Sequence, residues 1–427
     1  VIRAALAVCA ALIAQPLAAA APNLVLLSVD TLRADRLGCY GHDKPTSPHL
    51  DAFAATALRF DDAVCEVPLT APSFGAMLTS RYPRTINMPR NGLPLPGDVP
   101  TVPLLLQQAG YHTFCVQSNW TLKKHLSALD RGFDVYDDDF HEGRWGALKS
   151  ERDGADVTAR ALALLAGRPA DKPFFAWIHF SDPHAPYKLH EGLTPSGKPR
   201  RFTRRDTRIR MQYDSEVAYV DQQIGKVLAA LPPETVVVFV GDHGESLYEH
   251  DYLGHGRRLY HNTLRIPLLV RAPGVAPGAC AAPVRGMDVG PTLLGLAGVP
   301  VAEGMRGLDL VKTAPPMDRV RVVETYRGAV PNLPRGLRAW MEQRGPLKQA
   351  VIQEGWKLIV DGKRSELYHL VDDPGELKNL HLREARRVAE MQTILSAWDG
   401  SIQRVEESGD LLTPQDLEAL ESLGYLD

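Results

Sequence analysis

Five short stretches of the chain are apolar at almost every position: residues 23–29 (NLVLLSV), 112–118 (HTFCVQS), 174–180 (FFAWIHF), 235–241 (TVVVFVG) and 266–272 (IPLLVRA). They are too short for helices and lack the polar alternation of half-exposed strands, so they predict strands buried on both faces. Between them the period changes. Val217, Val220, Ile224, Val227, Leu228 and Leu231 fall on one face of a helix that Pro232 and Pro233 end. Alternation of this kind over residues 22–310 predicts an α/β fold, with a mostly parallel mixed sheet covered by helices and functional groups just past the carboxyl ends of the strands. After Thr313–Pro316 the runs VRVVETY, QAVIQEGWKLIV and SELYHLV predict a smaller antiparallel sheet. The tail TPQDLEALESLGY predicts a terminal helix, with Thr413 as its N-cap and Gly424 as its stop.

The first twenty residues differ from the rest: Arg3, an apolar run over residues 4–14, then PLAAAA. This pattern predicts a cleaved export signal and a periplasmic or extracellular mature protein. No later segment approaches the roughly 18 apolar residues of a membrane span, so no transmembrane segment is expected in the mature chain. The expected organisation is a signal over residues 1–20, a main α/β domain over 21–312, and a small sheet domain with its terminal helix over 317–427.

Composition narrows the function classes. The 427 residues are 44% hydrophobic and 23% charged, which excludes a disordered chain or a small stapled scaffold. With 48 Lys and Arg against 51 Asp and Glu, the net charge of −3 gives no reason to expect nucleic acid as a partner. Anion recognition must then be local. Residues 198–210 (KPRRFTRRDTRIR) hold seven basic residues against the single Asp206. They read either as a solvated loop or as a loop that attracts a large polyanionic substrate, such as an exported anionic glycan or a lipid headgroup. The five cysteines show no zinc spacing. Cys39, Cys65, Cys115 and Cys280 follow the signal, where export permits one or two disulfides with the pairing open.

Candidate chemistry lies at the strand exits. The first strand ends in Asp30, which by itself could equally cap a helix. The fourth ends in Gly241-Asp242-His243-Gly244-Glu245, where a carboxylate and an imidazole can reach one ion between small glycines. Asp30, Asp242 and His243 together suit a divalent metal.

The strings SVDTLRADRLGCYG, TSPHLDAFAATALRFDDAV, TAPSFGAMLTSRYP, KPFFAWIHFSDPHAPY, YDSEVAYVDQQIG, GDHGESLYEHDYLGHG, VGPTLLGLAGV and ELYHLVDDPGELKNL occur in this order. Together they resemble the sulfatase-like branch of the alkaline phosphatase superfamily over nearly the whole mature chain. The resemblance implies that superfamily's α/β domain and smaller C-terminal antiparallel sheet. It also marks departures. The family's CxPxR, whose Cys becomes formylglycine, reads TAPSF here, with Thr70 at the Cys position and Phe74 at the Arg position, so formylglycine is not expected. The family's GKWHLG-like string reads SNWTLK, with Asn119 at the lysine position.

Thr70 with Asn119 is similar to the superfamily's phosphodiesterases and phosphotransferases. The resemblance therefore implies Thr70 as nucleophile and metal ligand, with Asp30, Asp242 and His243 completing the site. Asn119 and His184 would contact the transferred group, and His255 would act as general acid. For both histidines the competing reading is a solvated loop residue. Glu245 would orient a ligand. His243 brings nitrogen to the site, which favours zinc or manganese over the calcium or magnesium the family tolerates, and one divalent ion is expected. On this reading the chain is a metal-dependent hydrolase or transferase acting on a phosphodiester or phosphonate ester through a covalent Thr70 intermediate. The alternatives are a sulfatase working without formylglycine and a catalytically silent binding protein.

Overall fold

Backbone pairing accounts for the continuously apolar runs. The computed structural model describes residues 21–140, 151–195, 197, 203–326, 348–362 and 364–402. The main sheet contains β1 (Leu24–Val29), β2 (Leu58–Val64), β3 (His112–Val116), β4 (Val135–Asp137), β5 (Phe174–Phe180) and β6 (Val236–Gly241). A two-stranded ribbon, β7 (Ser246–Leu247) and β8 (Leu253–Gly254), precedes its last members, β9 (Leu268–Arg271) and β10 (Gly278–Arg285). Their spatial order is β10-β2-β9-β6-β1-β5-β3-β4, and every pair is parallel except the two that involve β9. The sheet is mixed and mostly parallel, as the run pattern predicted.

Alternate residues of each central strand enter different cores. Leu24 and Leu26 of β1, Phe175 and Trp177 of β5, and Val236, Val238 and Val240 of β6 pack on one face. Val25 and Leu27, Ala176 and Ile178, and Val237 and Phe239 pack on the other. The long helix Arg205–Ala230 covers the second face through Tyr213, Val217, Val220, Ile224 and Val227. It begins earlier than expected, so residues 205–210 of the basic stretch are helical rather than loop. Residues 198–202 lie outside the described residues.

The four-stranded antiparallel sheet runs β11 (Arg321–Thr325), β12 (Lys348–Gln353), β13 (Trp356–Asp361) and β14 (Arg364–His369) in spatial as in chain order. One face, with Val323, Ala350, Ile352 and Ile359, joins the same apolar cluster as β1 and β6. The other, with Val322, Val351, Leu358 and Leu367, is covered by Val388, Met391 and Leu395 of the helix Ala385–Ser401. That helix was not anticipated, although its 3,4 spacing of apolar residues is in the sequence. The expected helix over residues 413–425 and the signal over 1–20 lie outside the described residues. Cys39, Cys65, Cys115 and Cys280 are all free thiols. Among the described residues no helix is long and apolar enough to cross a membrane.

Ion pairs fasten the small sheet to the large one. Arg319 grips Asp288 with both terminal nitrogens, at 2.6 and 2.7 Å, and Arg321 holds Asp62 in the same two-pronged way at 2.7 Å. Asp288 is fully buried and also accepts from the backbone N–H groups of Arg285 and Leu308 at 2.9 Å. Replacing Arg319 by Met leaves that carboxylate without its cation. Arg319→Met should therefore lower unfolding free energy by about 3 kcal/mol, read as an earlier urea midpoint. An unchanged midpoint would mean that the pair contributes nothing net.

Candidate active site

Strand ends and one helix start converge on a single buried point. Asp30 follows β1, Asn119 follows β3, His184 follows β5, Asp242 and His243 follow β6, and Thr70 begins the helix Thr70–Thr79 after β2. Thr31, at φ 53°, turns the chain beyond Asp30 so that its N–H donates to Asp242 Oδ1 at 3.0 Å. The N–H of His243 donates to the same oxygen at 2.7 Å. That leaves Asp242 Oδ2 with no hydrogen-bond partner, and Asp30 Oδ1 is likewise buried without one. Gly244 permits the close turn after His243, because a Cβ there would lie 2.1 Å from the Asn262 carbonyl oxygen.

The His243 ring completes the pattern. Its Nδ1 lies 3.0 Å from the Gly244 carbonyl, a donor position, which leaves Nε2 as an acceptor. Nε2 sits 3.7 Å from Asp30 Oδ1 and 3.5 Å from Asp242 Oδ2. Three acceptor atoms thus lie within 4.8 Å of one another, fully buried, with no proton donor among them. Burial pushes the Asp30 carboxyl well above the usual range, with Asp242 adding repulsion, and raises Asp242 to about 7. Burial lowers His243 to about 4. A cation removes all three penalties at once, so this donor set fits a metal ion. Thr70 Oγ1 borders it at 3.5 Å from both Asp30 Oδ2 and His243 Nε2.

Thr70 heads a helix whose ten residues are all buried, and Ser73 ties that helix to β6 by donating to the Asp242 carbonyl at 2.7 Å. Leu69, not Thr70, is the N-cap of this helix. One turn on, Phe74 packs against Trp177 and His179 with ring centroids 4.8 and 4.9 Å apart, filling the place the family motif gives to Arg. Asn119 accepts from the N–H and hydroxyl of Thr121, both at 2.8 Å, and this fixes its amide nitrogen as a donor to Asp30 Oδ2.

Neither loop histidine is solvated: His184 is buried, and the His255 side chain is 9% exposed. His184 Nδ1 lies 2.7 Å from Glu151 Oε1, and His255 Nδ1 lies 3.3 Å from Glu245 Oε1. The His255 ring centroid is 4.5 Å from that of His243 and 5.4 Å from that of His184. Desolvation disfavours charge on both rings. At His184 the Glu151 carboxylate overcomes it and lifts the pKa to about 10, whereas at His255 burial outweighs Glu245 and the pKa falls. Glu245 thus orients His255, not a metal ligand.

Sequence reasoning missed two residues. His179 lies in β5, with Nδ1 3.0 Å from Ser28 Oγ and Nε2 3.9 Å from Asp30 Oδ2; a histidine inside an otherwise apolar strand was the available signal. Glu151 carried no signal, because an isolated bridge to Asn119 brings it in. Two further histidines have other partners: His250 stacks on Tyr260, and the backbone N–H of His261 donates to Glu376 at 2.5 Å.

Residues 22–299 match the family model described as Sulfatase, and residues 248–398 match that described as N-sulphoglucosamine sulphohydrolase, C-terminal. The chain is 29% identical over 363 residues to the ulvan-active sulfatase of Formosa agariphila, covering 73% of this chain and 70% of that protein. It also resembles a protein solved with its substrate D-glucosamine-2-N,6-O-disulfate, with a TM-score of 0.72 at 20% identity over 89% of this chain and 98% of the other. The phosphonate monoester hydrolase of Agrobacterium radiobacter superposes with a TM-score of 0.74 at 20% identity, over 90% and 96% of the two chains. At that identity the likeness shows a shared fold alone. These matches overturn the expectation of a phosphodiester or phosphonate ester as substrate, because the family models and the sequence relative all point to sulfuric esters. The physical fault in that expectation was to let two substituted side chains, Thr70 and Asn119, choose the substrate for the whole site.

Stripping divalent ions with EDTA should lower the thermal midpoint of the wild-type protein, and adding them back should restore it, since binding to the folded state alone stabilises it. Asp242→Asn should lose most of that ion-dependent shift. An equal shift in the variant, with unchanged metal content by elemental analysis, would remove Asp242 from the ligand set.

Proposed function

The chain belongs to the sulfatase family, and from that premise we propose that it is a sulfuric ester hydrolase in which Thr70 stands where relatives of the CxPxR type carry a modified cysteine. The observation that carries this reading is the family match over residues 22–299 together with the buried, donor-free cluster of Asp30, Asp242 and His243 beside a hydroxyl. Zinc or manganese suits one nitrogen and two carboxylate donors. Such an ion, held by Asp30, Asp242, His243 and Thr70, would supply positive charge against the sulfate oxygens and acidify the hydroxyl.

In the proposed reaction Thr70 Oγ1 attacks sulfur in line with the ester oxygen and passes its proton to Asp30 Oδ2, 3.5 Å away. The S–O bond to the alcohol breaks, and that oxygen takes a proton from the minor, doubly protonated form of His255, which Glu245 stabilises at Nδ1 against the burial that lowers the ring's pKa. Asn119 holds Asp30 in place through its amide. Water then attacks sulfur of the threonine sulfate, giving one proton to His255 while Thr70 Oγ1 takes back the proton held by Asp30, so hydrogen sulfate leaves and Thr70, Asp30 and His255 are all restored. The sum is ester plus water to alcohol plus hydrogen sulfate. A threonine sulfate has no second hydroxyl on its carbon, so it cannot collapse to an aldehyde, and its clearance limits turnover. The relative's name supports a sulfated polysaccharide as substrate, and the run 4–14 with PLAAAA supports export.

With 4-nitrophenyl sulfate the metal-loaded protein should release about one equivalent of nitrophenol per site in a fast phase, followed by a slower steady rate. Thr70→Ala should abolish the burst and cut turnover by at least ~10³-fold. Turnover of a nitrophenyl phosphodiester with none of the sulfate would refute the sulfatase reading, and a full rate in Thr70→Ala would refute the nucleophile. His255→Ala should slow sulfate esters of poor leaving groups far more than 4-nitrophenyl sulfate, as loss of a general acid requires. Equal slowing of both would move His255 to a binding role.

A further inference from the structure

Glu151 occupies a place that neither the chemistry of Thr70 nor the metal donors call for. It is buried, with 5% of its side chain exposed, and its Oε1 lies 2.7 Å from Nδ1 of a His184 ring that is 2% exposed. Its backbone is fixed independently of that pair. Glu151 forms an isolated antiparallel bridge with Asn119, and the next N–H, of Arg152, donates to the Ser118 carbonyl at 2.9 Å. The segment that carries Asn119 to Asp30 therefore also carries Glu151 to His184. Arg152 is tied in turn to Asp137, at the end of β4, at 2.6 Å. A carboxylate so placed is a built feature of the site wall.

We propose that Glu151 is a positioning residue that keeps His184 doubly protonated, making it a fixed positive anchor for the sulfate group rather than an acid or base. This rests on the sulfuric-ester reading above. Two imidazole–carboxylate pairs face each other across the site and differ in effect. His255, at 3.3 Å from Glu245 and surrounded by the other rings, is held low; His184, with the tighter pair, is held high. Glu151, Asp30 and Glu245 raise His184 against its burial, and the charged ring in turn lowers its neighbours Asp242, His243 and His255. The sign follows: a ring raised to about 10 carries its charge throughout the neutral range and loses it only as pH rises through that value. A sulfate monoester keeps its single negative charge over the same range, so ring and substrate stay complementary.

The test uses the metal-loaded protein with inorganic sulfate as probe. Nitrogen NMR of the His184 ring should show both nitrogens protonated near neutrality in the wild type, and a titration moved down into the neutral range in Glu151→Gln. Sulfate affinity by calorimetry should weaken at least ~10-fold in Glu151→Gln, as for a lost charge-assisted contact, and recover in part in Glu151→Asp. With 4-nitrophenyl sulfate, KM should rise more than kcat falls. In a His184→Asn background the Glu151→Gln change should no longer affect sulfate binding, which separates positioning from a general structural role. An unchanged His184 titration, or unchanged sulfate affinity in folded Glu151→Gln, would overturn the proposal. If ring and sulfate behave as expected while no sulfate ester is turned over, the enzymatic reading fails and the anchor stands.

Discussion

Two carboxylates buried within reach of a single ion set the terms for the structure around them. In a low-dielectric interior Asp30 and Asp242 repel each other and lose their hydration, which raises both pKa values. The protein holds them there by committing stiff elements to the task. Asp242 Oδ1 is clamped by two backbone N–H groups, and Asp30 Oδ2 by the amide of an Asn119 that is itself fixed by Thr121. The strands beneath are buried on both faces and paired residue for residue, Val29 against Phe180 and Gly241. What remains unpaired points inward, so the fold maintains an electrostatic debt that an ion can discharge.

The same constraint explains what the sequence made legible. Strands covered on both sides must be continuously apolar, so β1, β5, β6 and β9 announce themselves, and polar residues at their ends stand out as Asp30 and the Asp242-His243 pair. Strands at or near the edge do not. β2 carries Arg59, Asp61 and Asp62, and β10 is rich in alanine, with exposed positions at its start; neither reads as a buried strand. Thr70, Asn119, His184 and His255 could be chosen only through resemblance, because nothing in their local sequence separates them from capping or loop residues. Glu151 escaped even that, since it reaches the site by pairing with a segment 32 positions earlier in the chain.

Phe74 shows why reading substrate from a few substituted motif positions misleads. Where the family motif has Arg, the chain has an aromatic ring wedged between Trp177 and His179, in a helix with no exposed residue. The substitution is supported by its surroundings: Trp177 donates to Ser28 Oγ, and the same oxygen meets His179 Nδ1. This wall of the site has been rebuilt as a packed aromatic layer. The aromatic layer borders the charged groups directly, since His179 Nε2 lies 3.9 Å from Asp30 Oδ2 and Phe74 shares its helix with Thr70.

The antiparallel sheet at the end of the chain shares its inner face with the core of the main sheet. During synthesis, residues such as Leu24, Leu26 and Val238 emerge long before Ile352 and Ile359, their companions in that cluster. Phe74, Met77, Leu106 and Leu293 of the first three hundred residues already pack in that cluster, but until the C-terminal segment leaves the ribosome it lacks Ile352 and Ile359, and Asp62 and Asp288 lack Arg321 and Arg319. The last part of the core to be filled is therefore supplied from the carboxyl end, together with the cations that neutralise two carboxylates placed much earlier in the chain.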